Sequence, residues 1–557
     1  MDFGHAGSRE LPTEEQNINT FIGITFSLSF GLGACAQADM NTMAAFSALN
    51  QAVNAVKSAN SVTERFNENL NPLETESVTE SEVGFHFRFA QKHHGLPLKG
   101  AAISVTVTHD HEVVAYQDHF EPNAVSQAFA NEFSVSEDQA FQIAYHAENL
   151  TASPSLQKIE KKFQKVGVEL RPVYEITLAA PIDKKWSWQV DVDGETGTVV
   201  DSFSTALDAR AHLPSNTQAN SNGNTRAKTE AAAEQFALIP VNVFDPNPTV
   251  RSGALYGSVP GFLDDANSNS DFFDRMMKQT ELETTLEDGR YVLANRYAVV
   301  TDQELPRNPD CSAPFGSMIL RRADPCFDSI NALYHITKSL KYVHEVLHID
   351  VHPRFYKGPM HVDPNGLDGD DNSHFLPSTD ELAYGIGGIH DAEDHDVLLH
   401  ELAHAIHTWI THGHFSNVEG LAEGIADYWA ASYSRSHMNK TNLAYNWVYS
   451  FDGHNEYWPG RVVNNPLKYP EAVLPPNNEI HVAGSMFSAV CIAISDQIGK
   501  LATDRILWAG VAMLDENSSQ LDAAKAMLAA AKVLYAHDPK RVVSVQKIFR
   551  EHGYLVP

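Results

Sequence analysis

Apolar and polar residues alternate with a period of two in the segments VGFHFRFAQ, AAISVTVTH and EVVAYQD, which lie between residues 83 and 118. Such alternation is typical of strands with one buried face, and the connecting segments HHGLP and HDHE predict turns. A helix follows, because Ser136 and Gln139 form a capping-box pattern. Two further strand patterns, RPVYEITLAA and WSWQVDVDGETGTVV, complete a predicted α+β domain, residues 77–204.

The chain changes character after this domain. Residues 205–239 are rich in Asn, Ser and Ala and poor in large apolar residues, which predicts an exposed linker. Residues 240–325 are β-rich and irregular, and apolar residues then recur at helical spacing, as in DVLLHELAHAIHTWI and VEGLAEGIADYWAAS. The pattern therefore predicts a multidomain α+β chain whose last domain, residues 240–557, is β-rich at first and helical afterwards.

The composition narrows the classes of partner. With 557 residues the chain is too long for one hydrophobic core, in agreement with several domains. It has 71 acidic and 40 basic residues, which correspond to a formal net charge of −31. Such a charge argues against nucleic acid and anionic membranes as partners.

Residues 1–38 resemble a secretory signal, because their apolar run TFIGITFSLSFGLGACAQA is too short to span a bilayer and ends in small residues. The residues before the run are acidic rather than basic, which departs from the usual signal pattern. The segment LGAC, which ends at Cys35, resembles a bacterial lipobox. We therefore predict a secreted protein without an integral membrane span, with Cys35 as the candidate lipid anchor, followed by a polar segment over 39–76.

Cysteine spacing offers one further prediction. Cys311 and Cys326 bracket a short loop that contains proline. Such a pair suits a disulfide in an oxidising compartment, and two free thiols are the alternative.

The pentapeptide HELAH carries the first candidate chemistry. On a helix His400 and His404 lie one turn apart on the same face, so that both imidazoles can bind one Zn²⁺. Glu401 then lies beside the metal, where a carboxylate can take a proton from a water molecule of lowered pKa. The sequence HEVLH, His344–His348, repeats the spacing, but no helix with a third carboxylate follows it. We interpret this second match as part of a packing helix.

A third ligand is available on the next helical pattern. Glu423 and Glu419 both lie there, and we prefer Glu423 because Asp427 follows it by four residues. Asp427 could hydrogen-bond the second nitrogen of a ligating histidine and hold its orientation. The metzincin class would need Gly at position 407 and His at position 410, whereas the chain has His407 and Ile410. We interpret His407 as a packing residue or as a residue that supports a ligand.

These residues, together with the preceding segment GIGGIHDAEDHDVL, resemble the gluzincin pattern of thermolysin-like and fungalysin-like metallopeptidases. The segment FHFRFAQKHHGLPLKGA is similar to the fungalysin/thermolysin propeptide, and the strand patterns after residue 168 resemble a PepSY module. The resemblance implies a two-lobed zinc peptidase domain over 240–557, with a β-rich first lobe and a helical second lobe. It also implies an intramolecular propeptide over 77–204 that is removed by cleavage in the linker.

The resemblance implies roles for several more residues. His481, in the segment EIHVAG, matches a histidine that donates to the oxyanion of the tetrahedral intermediate. Asn372 and Ser373 match the edge strand that hydrogen-bonds the substrate backbone. The second oxyanion donor of the family, a Tyr between the ligand helices, has no counterpart between His404 and Glu423.

The sequence thus predicts an exported zinc endopeptidase that acts on polypeptide substrates and is made as a zymogen. The loop 363–371 has enough carboxylates for Ca²⁺ but lacks the EF-hand spacing, so a solvated loop is the preferred interpretation. Two alternatives stay open: a non-catalytic peptide-binding protein that keeps the fold, and a zinc hydrolase of non-peptide amides.

Overall fold

The computed structural model describes residues 43–58, 74–121, 133–150, 153–167, 169–179, 187–208, 235–262, 268–314 and 316–557. The signal-like segment with Cys35, most of the polar segment that follows it and most of the linker lie outside the described residues. The predictions of export, lipidation and linker cleavage therefore remain predictions.

The secondary-structure elements are numbered here in chain order. The helices of the described residues are α1 (Met43–Ser58), α2 (Glu137–Ala147), α3 (Pro248–Ser252), α4 (Asp271–Met276), α5 (Phe327–Glu345), α6 (His395–Ile410), α7 (Leu421–Ser436), α8 (Ile480–Ile498), α9 (Lys500–Val511), α10 (Gln520–Leu534) and α11 (Pro539–Glu551). The strands are β1 (Glu74–Glu80), β2 (Gly84–His93), β3 (Leu96–Thr108), β4 (Val113–Asp118), β5 (Leu156–Val166), β6 (Glu169–Ala179), β7 (Ser187–Asp193), β8 (Val199–Ser204), β9 (Leu207–Asp208), β10 (Gln235–Val243), β11 (Lys278–Glu287), β12 (Arg290–Val292), β13 (Ala298–Val300), β14 (Met360–Asp363), β15 (Ser373–Leu376), β16 (Glu381–Tyr384), β17 (Trp447–Val448) and β18 (Arg461–Val462).

The N-terminal part is an eight-stranded sheet. Its order is β1-β2-β3-β5-β6-β7-β8, with β4 paired to β3, and the two halves meet where Leu98 pairs with Phe163. Alternate residues of β2, namely Phe85, Phe87 and Phe89, are buried in one cluster under α1. The period-two pattern therefore reports the face that packs under α1, because successive strand side chains point to opposite faces. The expectation of a single buried face is wrong for β2, since His86 and Arg88 on its other face are also buried.

The second module of this sheet is covered by α2. The side chain of Ser136 accepts from the backbone N–H of Gln139, whose side chain accepts from the backbone N–H of Ser136, so the predicted capping box is present. Ala140 and Ala144 of α2 pack on the apolar faces of β6 and β7.

The strands of the C-terminal part form smaller sheets. One is β10-β11-β12, and another is β13-β14-β16-β15-β9, in which β15 runs antiparallel to both of its neighbours. Leu207 is buried and pairs with Phe375 in this second sheet. The predicted linker boundaries are therefore too wide, since residues 207–208 and 235–239 lie in strands. Cys311 and Cys326 are joined by a disulfide.

Helices dominate after residue 395, and α6 lies at their centre. All sixteen of its residues are buried, with α5, α7 and α9 against it. The structure is thus mixed α+β with several sheets, and the division of the C-terminal part into two lobes stays a prediction. Within the described ranges, no helix combines the length and the apolar character that a membrane span requires.

Candidate metal centre

Three side chains from two helices converge at the buried face of α6. His400 and His404 extend from α6, and Glu423 extends from the first turn of α7. The Nε2 atoms of the two histidines are 3.1 Å apart, and they lie 3.4 Å and 3.6 Å from the nearer oxygens of Glu423. All three side chains are at most 1% exposed.

These separations match a zinc coordination sphere. Ligand atoms about 2.0–2.1 Å from a tetrahedral ion lie about 3.3 Å from one another. The observed separations of 3.1 to 3.6 Å bracket this value. Two imidazole nitrogens and a carboxylate are also a donor set that catalytic zinc sites use. The residues present therefore fit Zn²⁺.

Asp427 holds one of the two imidazoles in orientation. Its Oδ1 lies 3.0 Å from Nδ1 of His400, which leaves Nε2 of His400 directed at the cluster. Arg461 donates to both carboxylate oxygens of Asp427, at 2.7 and 3.0 Å. Burial alone would raise the pKa of Asp427, but Arg461 and His400 together hold it well below its usual range. Asp427 is therefore ionised, and its negative charge faces Nδ1 of His400.

The protonation states of the cluster suit a metal. Burial lowers the pKa of His404 to about 3, so its imidazole is neutral at physiological pH. Burial alone would raise the pKa of Glu423, but His404 and the neighbouring histidines lower it to about 2. Neutral imidazoles and an ionised carboxylate are the forms that ligate metal ions.

The negative charges around this cluster are not balanced by the positive charges described beside it. The buried carboxylates of Glu401, Glu423 and Asp427 surround the site, and the guanidinium of Arg461 lies 2.7 Å from Asp427 and 3.9 Å from Glu423. Burial, and to a smaller extent the negative charge of Glu401, raise the pKa of Tyr384 and of Tyr449. Buried charges without compensation are costly, and a divalent cation would compensate for this excess.

Close helix packing positions Glu423 and His481. A Cβ atom on Gly424 would lie 2.5 Å from the carbonyl oxygen of Gly484, and one on Gly484 would lie 2.7 Å from Cβ of Glu423. The two glycines therefore allow α7 and α8 to approach closely, which brings His481 to the metal cluster. Its Nε2 is 3.5 Å from Glu423, while its Nδ1 is 2.7 Å from Oε1 of Glu479.

The alternative ligand Glu419 lies elsewhere. Its backbone has φ of +59°, in a 3₁₀ turn before α7, so Glu419 does not share a helical face with Glu423. Its carboxylate instead accepts from the backbone N–H of Gln520 and from the hydroxyl of Tyr469. The prediction that both glutamates lie on one helix face was wrong, because the turn rotates Glu419 away.

The second pentapeptide is not a helical pair. α5 ends at Glu345, and His348 has φ of +55°, which belongs to the left-handed region. The predicted helix around this pentapeptide therefore ends earlier than its last histidine. His344 instead lies near Asp350 and His352 at the surface.

His407 continues the ligand face of α6 by one turn but lies outside the cluster. It is buried with its ring 6.0 Å from that of Phe415, and no hydrogen bond to either ring nitrogen is present among the described residues. Burial lowers its pKa to about 3. These contacts are those of a neutral packing residue.

Ser373 begins β15 and Asn372 directly precedes it, but β15 is not an edge strand here because it lies between β16 and β9. The Ser373 side chain is buried and donates to Asp391, so only its backbone could reach a substrate. The adjacent residues His374 and Phe375 pair with β9, the last strand before the undescribed part of the linker. The outer edge of β15 is thus occupied by the end of the N-terminal half.

The acidic loop 363–371 is less solvated than predicted. Asp363 is buried and accepts from the backbone N–H groups of Gln303 and Glu304. Oxygen atoms of Asp371, Asp391 and Asp452 lie within 4.8 Å of one another, which is close enough for a shared cation. Calcium binding stays a prediction.

Two residues of the site were not predicted from the sequence. Tyr449 donates to Asp427 at 3.1 Å and lies with its ring 5.5 Å from that of His400, and Arg461 anchors both. They belong to the irregular segment between α7 and α8, where no periodicity singles out a residue. Aromatic residues commonly lie beside an Arg side chain in proteins, so this pairing could not have identified Tyr449 and Arg461 from the sequence.

Comparison with known proteins bears on the N-terminal half. Residues 73–120 match the family model described as Fungalysin/Thermolysin Propeptide Motif. The chain carries a peptidase propeptide motif. This motif occurs in fungalysin and thermolysin metalloproteases, which suggests a peptidase made as an inhibited zymogen, and it confirms the predicted resemblance of β1–β4. The motif does not extend to the PepSY-like strands or to the metal centre.

Other comparisons add little to the propeptide motif. No curated protein matches the chain. Among solved structures, the Bacillus megaterium YpeB C-terminal domain is similar at 12% identity and a TM-score of 0.19. The match covers 29% of this chain and 66% of that one, and a likeness of this size supports no functional argument.

Proposed function

We propose that this protein is an exported zinc endopeptidase that is made as an inhibited zymogen. The spacing of the three ligand atoms at 3.1 to 3.6 Å supports the proposal most strongly. The propeptide motif over 73–120 supports it independently, because it lies in a different part of the chain. His400, His404 and Glu423 hold the zinc ion, and polypeptides are the substrates.

A bound zinc ion supplies Lewis acidity, which lowers the pKa of a water molecule and polarises the substrate carbonyl. Glu401 is the general base that takes the proton of the attacking water and passes it toward the leaving amine. Asp427 holds the His400 ring in orientation, and Arg461 keeps Asp427 ionised. Peptide hydrolysis by this route requires no covalent link between substrate and protein.

His481 is the residue that stabilises the oxyanion. Its Nδ1 hydrogen-bonds to Glu479, whose pKa is lowered by His481 although burial alone would raise it. The Nε2 edge of His481 lies at the metal cluster, where it can stabilise a developing negative charge. Backbone groups of Asn372 and Ser373 align the substrate as an added strand on β15.

The N-terminal half inhibits the enzyme through its contacts with the C-terminal part, of which two are described first. One is the pairing of β9 with β15, which takes the edge that the substrate strand would use. The other is a buried ion cluster, in which Arg88 donates to Glu76 and to Glu516, each at 2.6 Å. Burial alone would raise the pKa of Glu516, but His414 and Arg88 hold it at about 2, so the cluster stays charged at physiological pH.

Zinc content tests the ligand set. His400→Ala should lower the zinc content of the purified protein from about one ion per chain to a small fraction, since it removes one of three protein ligands. His344→Ala is the matched control, because it alters the same position of the other pentapeptide and should leave the zinc content unchanged. Metal analysis by mass spectrometry measures both. A loss of zinc in His344→Ala with retention in His400→Ala would reject the proposed site.

The propeptide contact should depend on pH. The hydrogen bond that Nδ1 of His119 donates to the carboxylate of Asp515 raises the pKa of the His119 imidazole above its ordinary value, although burial opposes the shift. Protonated His119 therefore stabilises the docked N-terminal half. This stabilisation is complete below the ordinary pKa of about 6.5 and is lost as the pH rises through the raised pKa. We expect inhibition by a cleaved but undissociated N-terminal piece to weaken as the pH rises above about 6.5 and through the raised pKa of His119.

The inhibition constant as a function of pH measures this effect. His119→Gln should flatten the dependence, whereas His109→Gln, at an exposed position of the same sheet, should keep it. Inhibition that strengthens with rising pH in the unmodified protein would contradict the role of His119.

A further inference from the structure

A cavity of about 400 Å³ lies between α5, α7 and the beginning of α9. None of the proposed zinc ligands lines it. Its walls include Lys338 and Tyr342 of α5, Trp429 and Tyr433 of α7, and Lys500 and Leu501 of α9. Because residues three and four apart on a helix share one face, the two helices present their lining residues along the length of the cavity. Cavities of this size are typical of small-molecule sites.

The inner wall is aromatic. Trp429 is 3% exposed, and its indole N–H is already satisfied by Ser339 at 3.1 Å. The ammonium group of Lys500 lies 4.8 Å from the ring centroid of Trp429 and 5.0 Å from that of Tyr342. A cation thus stands directly beside an apolar aromatic surface.

The two lysines differ in their remaining hydrogen-bonding capacity. Lys338 donates to Asp245 at 2.9 Å and to the hydroxyls of Tyr334 and Tyr433, which accounts for its three donors. Lys500 donates to Asp504 at 2.6 Å, and it has no other acceptor among the described residues. An ammonium group has three donors, so Lys500 can bind a further acceptor.

The lining of the cavity carries two ammonium groups, those of Lys338 and Lys500, and no carboxylate among the described residues. Their partners Asp245 and Asp504 are not lining residues, and Asp245 is also paired with Lys278. Lys500 is also the first residue of α9, whose first turn has no acidic side chain, so the helix dipole adds to this potential. The chain as a whole has a net charge of −31, so this positive cavity is a local exception.

We infer that this cavity binds a small organic carboxylate with an apolar body. The carboxylate accepts from Lys500, and the apolar body packs against Trp429 and Tyr342. An amine of the same shape is repelled by Lys500, and a neutral analogue lacks the charge-assisted hydrogen bond. This site is independent of the proposed peptidase activity.

Calorimetric titration of the full-length chain tests the inference. The probes are 4-phenylbutyrate, 4-phenylbutanol and 4-phenylbutylamine, which share one apolar body and differ in the end group. We expect the carboxylate to bind at least about tenfold more tightly than the alcohol and the amine not to bind. Equal affinities for the carboxylate and the alcohol, or no carboxylate binding at millimolar concentration, would overturn the inference.

Two variants locate the binding. Lys500→Gln should weaken 4-phenylbutyrate binding about tenfold and leave 4-phenylbutanol binding unchanged. Lys547→Gln is the matched control, since Lys547 faces Glu551 one turn later on an exposed helix surface and lies outside the cavity. Ser436→Trp places a large side chain at the exposed rim of the cavity and should abolish binding without lowering the thermal midpoint. Carboxylate binding that survives both Lys500→Gln and Ser436→Trp would place it elsewhere and reject the inference.

Discussion

Glu401→Gln is expected to keep the zinc ion and to lower kcat/KM for peptide cleavage by on the order of 10²-fold or more. Glu401 is fully buried one residue after His400. An amide has nearly the same shape as the carboxylate, so the fold should be unchanged, but it cannot accept the proton of the attacking water. Cleavage of a fluorogenic peptide library, with the zinc content of the same preparation, measures both properties.

The control for this experiment is Glu345→Gln. Glu345 occupies the same position in the second pentapeptide, where it accepts from the hydroxyl of Tyr297 at the surface. Activity should be unchanged in this variant. Near-normal turnover by Glu401→Gln would remove Glu401 as the base, and peptide binding without any turnover by the activated parent enzyme would favour the non-catalytic alternative.

The full-length chain is expected to be nearly inactive, and cleavage between residues 209 and 234 followed by loss of the N-terminal piece should release its activity. Cleavage alone is not sufficient, because β9 and the Arg88 ion cluster remain in place after the cut. Interfaces that hold such pieces together bury on the order of 1,000 Å² or more and dissociate slowly. Activity measured after cleavage, at a series of dilutions, should rise as the pieces separate.

Two variants of the cleaved chain sharpen this prediction. Leu207 is buried on β15, so Leu207→Ala should weaken inhibition by about tenfold or more. Val199, on the adjacent strand β8, is 40% exposed, and Val199→Ala should have little effect. Full activity in an uncut chain would reject the zymogen proposal and make the N-terminal half a permanent accessory domain.

Local sequence features predicted part of the site. The pairing of His400 with His404 follows from the helical repeat alone, because α6 is a regular helix whose buried face carries both side chains. The same spacing rule failed for His344 and His348, since α5 ends at Glu345. A four-residue spacing is informative only where the helix continues, and nothing in the pentapeptide itself reports where the helix ends.

The propeptide strands were predictable for a similar reason. In a strand the side-chain period is two, so the alternation through Phe85, Phe87 and Phe89 reports the buried face without knowledge of the partner. The parallel contact of Leu98 with Phe163, which joins the two modules into one sheet, left no such signal. Pairing between distant strands depends on the register of both, and neither strand encodes that register alone.

By itself, the sequence determined which residues could supply zinc ligands and a base, because these depend on residue type and on spacing within one helix. The position of Asp427 in the sequence already favoured Glu423 over Glu419, and only the tertiary structure gave the physical reason, since the backbone turn before α7 directs Glu419 toward Gln520. It also brought Arg461 to Asp427 and β9 to β15, contacts between segments that are remote in the chain. Such contacts arise when helices and sheets pack, and no local pattern of residues specifies them.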